Sequence, residues 1–418
     1  SDGHGRPAHD PQMMVALHLY AYATGTRSSR MIERHLVDDV AYRVIAAGQA
    51  PDHATIARFR RRHEAALCGV FSDVLCLCQK AGLVRSGTLA LDSTKLHANA
   101  SERANVSYDE IAREILEDAA ATDAAEDSRY GDRRGDELPE GLRTWRERRD
   151  WLRQAKRELE AEQAAREHPG NSRAARLEEA KRRLAEQHAL ERHAIEAEQA
   201  ASAKWLAEQR ERGQKPTGRR RIHPLVVPAK PAGRVNLSDP DSRPVKTQRG
   251  FIQGYSAQAA ATEDQIIVMA DVTIGGPDQG KLAPLAERTV AELERAGADP
   301  PAVLLADAGY WNGPQIGALR ERGIDALVAP SRQTRRGPPP RTQAPLAAEL
   351  RARLDSDEGR ALYRKRQRII EPIFGQTKAN RGFDRFLCRG LGACRAEWSL
   401  ITATHNLLKA WRHGLAAA

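Results

Sequence analysis

Along the first eighty residues, apolar side chains recur at helical spacing. In PQMMVALHLYAYATG, Met14, Leu17 and Ala21 share one face, and Gly25 is a natural stop. SSRMIERHLVDDVAYRVIAA keeps the same period. PDHATIARFRRRHEAAL then offers Asp52 or Thr55 as an N-cap, Ile56 and Phe59 as an inward face, and Arg58, Arg60, Arg61 and Arg62 as a largely outward one. Short helices with a basic one near the end suit a helix-turn-helix, and equally a bundle with a solvated basic face.

The pattern changes at TLALDSTKLHANAS. Leu89 to Leu91 read as a short buried strand, which ends on the ionisable Asp92. From Tyr108 to about Gly213, Ala, Glu, Arg, Lys and Gln dominate, broken once by HPGNS at His168 to Ser172, so two long polar helices forming a hairpin are expected. Leu177 and Leu184 keep a seven-residue step, but Leu190 and Ile195 drift off it, which argues against a long coiled coil. A linker rich in Pro and basic residues follows. Strand texture returns in GFIQGYSAQAAAT and DQIIVMADVT, which read as a hairpin around Thr262 to Asp264. Next come the amphipathic DQGKLAPLAERTVAELERAG, the strand PAVLLADAGYWN ending in Asp307, the short strand GIDALVAP, and a Pro-rich basic loop. From Glu358 onward the chain looks helical, with Gly-containing turns. Without the polar helices this order predicts an α/β fold, a mixed sheet with helices packed on it, in which the strands ending in Asp92 and Asp307 bring two carboxylates to one place.

Size and charge narrow the class. At 418 residues the chain is long enough for two or three domains. The formal net charge of +10 points to a polyanionic partner. Between Gly359 and His413 there are twelve Lys or Arg against three acids, so the excess is concentrated near the end of the chain, where a phosphate-contacting surface is expected. The five cysteines include no CxxC pair, which argues against disulfides and a zinc site and for a reducing compartment. No run of eighteen apolar residues occurs, so no membrane span is expected. The opening residue is Ser rather than Met, which fits a fragment lacking part of an N-terminal region.

A carboxylate at the end of a buried strand is costly unless something compensates it, and a hard divalent cation is one compensation. Asp307 repeats the pattern of Asp92, with small or apolar residues before it and Gly309 after it for a tight turn. Glu371 stands alone among basic residues in YRKRQRIIEPIFGQTKANRGFDRF, and Lys378, two helical turns on, shares its face. Two cations about 3.5 to 4 Å apart, held by such acids, stabilise both the attacking and the leaving oxygen of a phosphoryl displacement.

LALDSTKLHANAS, NLSDPDSRPVKTQRGFIQGYSAQAAATEDQIIVMADVT, LLADAGYWN and EPIFGQTKANRGFDRFLCRG together resemble the bacterial insertion-sequence transposases of the DDE type, in the branch with a Tyr, Arg, Glu, Lys signature. The resemblance extends from about Asp10 to Trp411 and is least specific in the polar insertion. It implies a ribonuclease-H-like catalytic core, with Asp92, Asp307 and Glu371 as the metal-binding triad and Tyr363, Arg366, Glu371 and Lys378 as the signature. Four residues rather than three separate Arg366 from Glu371, and Pro372 suggests a helix start or kink there. The implied cofactor is a pair of Mg²⁺ ions, with Mn²⁺ as a substitute. The implied reaction is cleavage at the element's end by metal-bound water, followed by attack of the freed 3′ hydroxyl on target DNA. Arg366 and Lys378 are candidate contacts to donor-end phosphates, and Tyr363, Lys95, Asn99, Asn312, Arg58, Arg61 and Arg62 are further DNA-contact candidates. Surface charge competes as the reading of the basic residues, and turn hydrogen bonding as that of Lys95, Asn99 and Asn312.

The expected division is a helical DNA-binding region over 1–84, the first part of the core over 85–107, the insertion over 108–213, a linker over 214–250, and the rest of the core with basic C-terminal helices over 251–418. Expected partners are double-stranded DNA, both terminal inverted repeats and target, and a second copy of the chain on DNA, with no membrane. The expected location is the bacterial cytoplasm at the nucleoid. A DNA-binding remnant and a stand-alone metal-dependent nuclease are the alternatives. Trp398 and Trp411 read as packing residues, and Asp278 in GGPDQGK as the cap of the following helix.

Overall fold

A computed structural model describes residues 8–130, 172–212, 233–330 and 345–414, with a few further positions at 149, 153, 154, 156, 157, 230 and 231. It divides into two compact units, residues 1–100 with 241–418, and residues 101–240. Most of the polar break at 168–172, residues 214–229 of the expected linker and most of the Pro-rich basic loop lie outside the described residues, and the rest of the expected linker is not wholly irregular but carries two short strands, Arg234–Asn236 and Arg243–Thr247.

In the larger unit the chain begins with five helices: α1 (Pro11–Ala23), α2 (Ser29–Asp38), α3 (Val40–Ile45), α4 (His53–Arg62) and α5 (Glu64–Lys80). Asp10 caps α1 and Asp52 caps α4, each carboxylate accepting a backbone N–H of the first turn, and Gly25 just beyond α1 takes φ +84°. Met14, Leu17, Ala21, Ile32, Tyr42 and Ile56 form a small core of their own.

One strand of the larger unit, β1 (Thr88–His97), precedes the smaller unit in the chain. Within that smaller unit, β2 (Asn105–Ser107) and β3 (Arg234–Asn236) pair antiparallel. Between them in sequence lie α6 (Tyr108–Tyr130) and α7 (Arg173–Glu211), and Ile111 of α6 packs with Leu177, Ala180 and Leu184 of α7 and Val235 of β3. The seven-residue Leu177–Leu184 step is therefore the packed part of α7, whereas Leu190 is exposed.

After the smaller unit the large unit resumes with β4 (Arg243–Thr247), β5 (Gly250–Thr262), β6 (Ile267–Thr273), α8 (Leu282–Ala296), β7 (Val303–Ala306), α9 (Gly313–Glu321), β8 (Asp325–Val328), α10 (Pro345–Asp355), α11 (Asp357–Gly375) and α12 (Leu391–Arg412). The sheet runs β4-β5-β1-β7-β8, and β6 also pairs with β5. β1 is antiparallel to β5 and parallel to β7, and β7 is parallel to β8, so the sheet is mixed and flanked by helices. This is the α/β class expected from the order of elements.

Two local expectations change. β1 does not stop at Asp92 but continues to His97. Its β7 neighbour ends at the Leu91–Ala306 pair, while β5 carries the pairing on to His97–Gly254. Pro372 neither starts nor breaks α11; the helix runs through it to Gly375 and then widens into a π turn over Gln376–Asn380. The core includes Trp398 of α12, fully buried, whose indole Nε1 donates to the Gln258 carbonyl at 2.9 Å. Trp411, by contrast, is 63% exposed and is not a packing residue.

Candidate active site

The parallel pairing of β1 with β7 fixes the first feature of the site. Leu91 and Ala306 are register partners, and the next residue on each strand is an aspartate, Asp92 and Asp307. Three buried residues lead into each, Leu89–Leu91 and Leu304–Ala306, so both carboxylates emerge from a dry part of the sheet. Asp307 leaves β7 into a tight turn, where its Oδ1 accepts the Gly309 N–H at 2.9 Å.

Asp92 is held by two donors. The Ser93 N–H donates to Oδ1 at 2.7 Å, and the Arg366 guanidinium donates to Oδ2 at 2.7 Å. Burial pushes the Asp92 carboxyl up to about 6, against the opposing pull of the Ser93 amide and Arg366, and the nearby Asp307 and Asp278 charges push in the same direction as burial. A carboxyl so placed gains from any cation that approaches it, and in this structure the cation is a guanidinium. Tyr363, one turn before Arg366 on α11, donates its hydroxyl to the Ala306 carbonyl at 3.0 Å and so ties the helix to the end of β7.

Glu371 is not gathered to this pair. It lies about 100° around α11 from Ile370; Ile370 and Ile373 are buried, whereas Glu371 is exposed, and no hydrogen bond or ion pair engages it among the described residues. No cluster of three His, Cys, Asp or Glu side chains with metal-ligating geometry occurs among the described residues. Asp92 and Asp307 nevertheless fit a hard cation. Mg²⁺ commonly keeps several waters and takes only one or two protein carboxylates beside substrate phosphates, and Arg366 already shows that positive charge is accommodated at Asp92.

The opposite face of β1 carries a polar network that sequence reading missed. Asp278 accepts from Ser93 Oγ at 2.8 Å, from Gln258 Nε2 at 2.9 Å and from Lys95 Nζ at 3.3 Å. It does not cap α8, whose N-cap position is Lys281; the 274–281 loop folds back to the sheet and delivers Asp278 there. Burial raises the Asp278 carboxyl, but Lys95, Gln258, Ser93 and Lys281 outweigh it and hold it below the usual carboxylate range. Tyr310 is buried and its hydroxyl donates to Gln258 Oε1; burial and the Asp278, Asp92 and Asp307 charges raise it well above the ordinary tyrosine value. The available signal was Gln258 itself, a buried amide in an alanine-rich strand.

Several expected DNA contacts are engaged within the protein. Lys95 Nζ donates to Ser93, Ser256, Gly276 and Asp278. Lys378 Nζ donates to the Lys95 carbonyl at 2.8 Å, and burial lowers its ammonium from the ordinary lysine value. Asn99 Nδ2 donates to the Leu387 carbonyl at 2.8 Å. Asn312 is the N-cap of α9, its Oδ1 accepting the Gln315 N–H at 3.1 Å. Asn312→Ala is therefore expected to lower unfolding free energy by about 1 kcal/mol and Asn312→Asp to restore it, as read by urea denaturation; a DNA-only residue would leave the curve unmoved. Arg58, Arg61 and Arg62 are exposed on α4, but Arg60 is not outward: it donates to the Arg27 carbonyl, Ser29 and the Tyr22 hydroxyl.

Asp307 borders two clefts. One, of 640 Å³, is lined by Tyr363 and by Arg351, Arg360, Arg364 and Arg366. The other, of 790 Å³, contains Asp92, Lys95, Lys246, Arg249 and Lys378. Asp307 thus sits where two cation-lined depressions meet, with Asp92 in the larger of them, an arrangement suited to a polyanion bound on both sides of a reacting phosphate.

A mixed sheet flanked by helices, with acids at adjacent strand positions, is consistent with a ribonuclease-H-like core. Residues 1–62 match the transposase domain DUF772, and residues 332–411 match a transposase DDE domain. The two matches, at opposite ends of one chain, support an insertion-sequence DDE transposase, and with it a DNA substrate. The second spans Tyr363, Arg366, Glu371 and Lys378, and neither includes Asp92 or Asp307. No curated protein and no solved structure matches the chain. No helix among the described residues is long and apolar enough to cross a membrane.

Proposed function

We propose that the protein cuts DNA at the ends of its element and joins the freed 3′ hydroxyls to target DNA at a single site built from Asp92, Asp307 and Glu371. The observation that supports this reading is the register of β1 and β7, in which Asp92 and Asp307 follow the last pair and both line one cation-rich cleft. Asp92 and Asp307 would hold the divalent cations and Glu371 would complete the set once α11 and bound DNA adjust to each other. Two Mg²⁺ ions, or Mn²⁺ in their place, supply charge stabilisation at the attacking and leaving oxygens of an in-line displacement. Around them the protein positions. The Ser93 N–H aims Asp92, Arg366 keeps that carboxylate charged and is placed to pass to a phosphate, and Tyr363 fixes the α11 side of the cleft to β7. Water first opens the phosphodiester at the element's end, and the 3′ hydroxyl so released attacks a target phosphodiester in a second displacement; no covalent bond to the protein forms. Arg58, Arg61 and Arg62, exposed on α4, are assigned to backbone contacts on terminal repeats, within a DNA-binding region over 1–84. Two element ends call for two copies of the chain on DNA, and such a protein works at the bacterial nucleoid.

The exposure of Glu371 favours one competing reading, a DNA-binding protein without cleavage activity. Both are tested by incubating the protein with duplexes bearing candidate terminal inverted repeats, a supercoiled target and Mg²⁺. Nicked ends and joined products are expected. Cutting without joining would leave a nuclease, and salt-dependent binding without any cutting would leave the DNA-binding reading.

A further inference from the structure

The cations of the larger cleft are not equivalent. Lys95 is committed to Asp278, and Lys378 to the Lys95 carbonyl. Lys246 and Arg249, which line the same cleft as Asp92 and Asp307, are exposed and have no acidic partner among the described residues. Both belong to the β4–β5 hairpin.

That hairpin is built to project. β1 stops pairing with β5 at His97–Gly254, and the Ala98 N–H still reaches the Gln253 carbonyl at 2.9 Å, so residues 250–252 of β5 have β4 as their one strand neighbour, from Val245–Ile252 to Thr247–Gly250. The tip is fixed, since Thr247 Oγ1 donates to the Gly250 carbonyl at 2.9 Å and accepts the Arg249 N–H at 3.2 Å. Gly250 takes φ +121°, a conformation open to glycine. Val245 is fully buried and anchors one face of the ribbon. Lys246 and Phe251 are cross-strand partners and share the other face, where Phe251 is 64% exposed. A lysine on an edge strand is also a common guard against edge-to-edge pairing. That role explains neither Arg249 in the turn nor an exposed phenyl ring directly opposite the lysine. Two unpaired cations and an aromatic face beside a pair of acids suit phosphates with adjoining bases.

We propose that the β4–β5 hairpin grips the DNA strand at the Asp92–Asp307 site, Lys246 and Arg249 each contacting a backbone phosphate. The proposal rests on the transposase reading above. It is tested without metal, so that cleavage plays no part, by fluorescence anisotropy of labelled duplex carrying the candidate terminal repeat, in chelator, from 50 to 300 mM salt. Wild type is compared with Lys246→Ala/Arg249→Ala and with Arg85→Ala/Arg322→Ala, a control that removes the same charge from two exposed positions outside either cleft. Losing two phosphate contacts is expected to weaken binding on the order of 50-fold at 0.1 M salt and to reduce the salt slope by about 1.8, with the control within a few-fold of wild type. A hairpin variant that matches the control in affinity and slope overturns the proposal while leaving the transposase reading intact. Absence of salt-dependent binding by wild type overturns both. Lys246 and Arg249 are exposed, so unchanged thermal melting of the hairpin variant is expected to show that the fold is preserved.

Discussion

Asp92→Ala is expected to lower Mg²⁺-dependent cutting and joining of terminal-repeat DNA by on the order of a thousandfold or more, with affinity for that DNA in chelator unchanged or slightly higher. The argument is local. Asp92 is the first β1 residue past the last β7 pair and Asp307 is its counterpart on β7, while the nearby Asp278 is taken up by Ser93, Lys95 and Gln258, so neither acid has a free substitute at the sheet. Asp307→Ala should match it, because the two would share the charge of the same bound cations. Glu371→Gln is the more informative companion. Glu371 is exposed and unengaged in this structure, so a comparable loss there would mean that α11 shifts when DNA and cations bind. Cleavage retained within about tenfold in Asp92→Ala, against the scale expected for transition-state electrostatics, would remove the site from the reaction.

The second large effect concerns Arg366. The folded protein holds the Asp92 proton more tightly than the unfolded chain does, since burial raises the carboxyl from 3.8 to about 6. Between those values the folded state binds more protons, so this residue's contribution to stability falls as pH rises through 4 to 6 and is fully lost above 6. The scale is about 3 kcal/mol. Arg366 limits the loss by pairing with the ionised form, both side chains being largely buried at 14% and 19% exposure. Arg366→Ala should therefore extend the decline above pH 6 and lower stability at pH 8 by about 1 to 3 kcal/mol, read as melting temperature against pH. Millimolar Mn²⁺ should recover more of that stability in the variant than in wild type, because a bound cation would replace the missing guanidinium. If the two melting profiles superimpose, with and without Mn²⁺, Arg366 does not govern Asp92.

The sequence made the frame of the larger unit readable because its signals are local. Leu89–Leu91, the run into Asp307 and the hairpin of β5 and β6 are short apolar stretches bounded by turn residues, and Asp52 announces the start of α4 through its own hydrogen bond. What stayed hidden depends on distant partners. Ser93, Thr94 and Lys95 did not look like strand, yet β5 pairs with them through Gln258, Ala257 and Ser256, and the approach stays close to the end of the ladder, where a Cβ on Gly254 would meet the Leu96 carbonyl oxygen at 2.3 Å. Asp278 resembled a helix cap because its neighbours are turn formers, and only the fold of the 274–281 loop brings it to Lys95 and Gln258. Arg60 looked like part of a basic outer face, but Tyr22, Arg27 and Ser29 draw it inward. The acids of the candidate site were legible as residue types, whereas the place of Glu371 depends on which way a helix presents it.

The order of strands also has a consequence during synthesis. Asp92 emerges from the ribosome more than two hundred residues before Asp307, and β1 remains without β5 and β7 until both have followed it. A polypeptide interrupted anywhere in that interval carries one acid and no counterpart. Truncated translation products would thus lack the paired acids of the proposed site, a consequence of strand order alone.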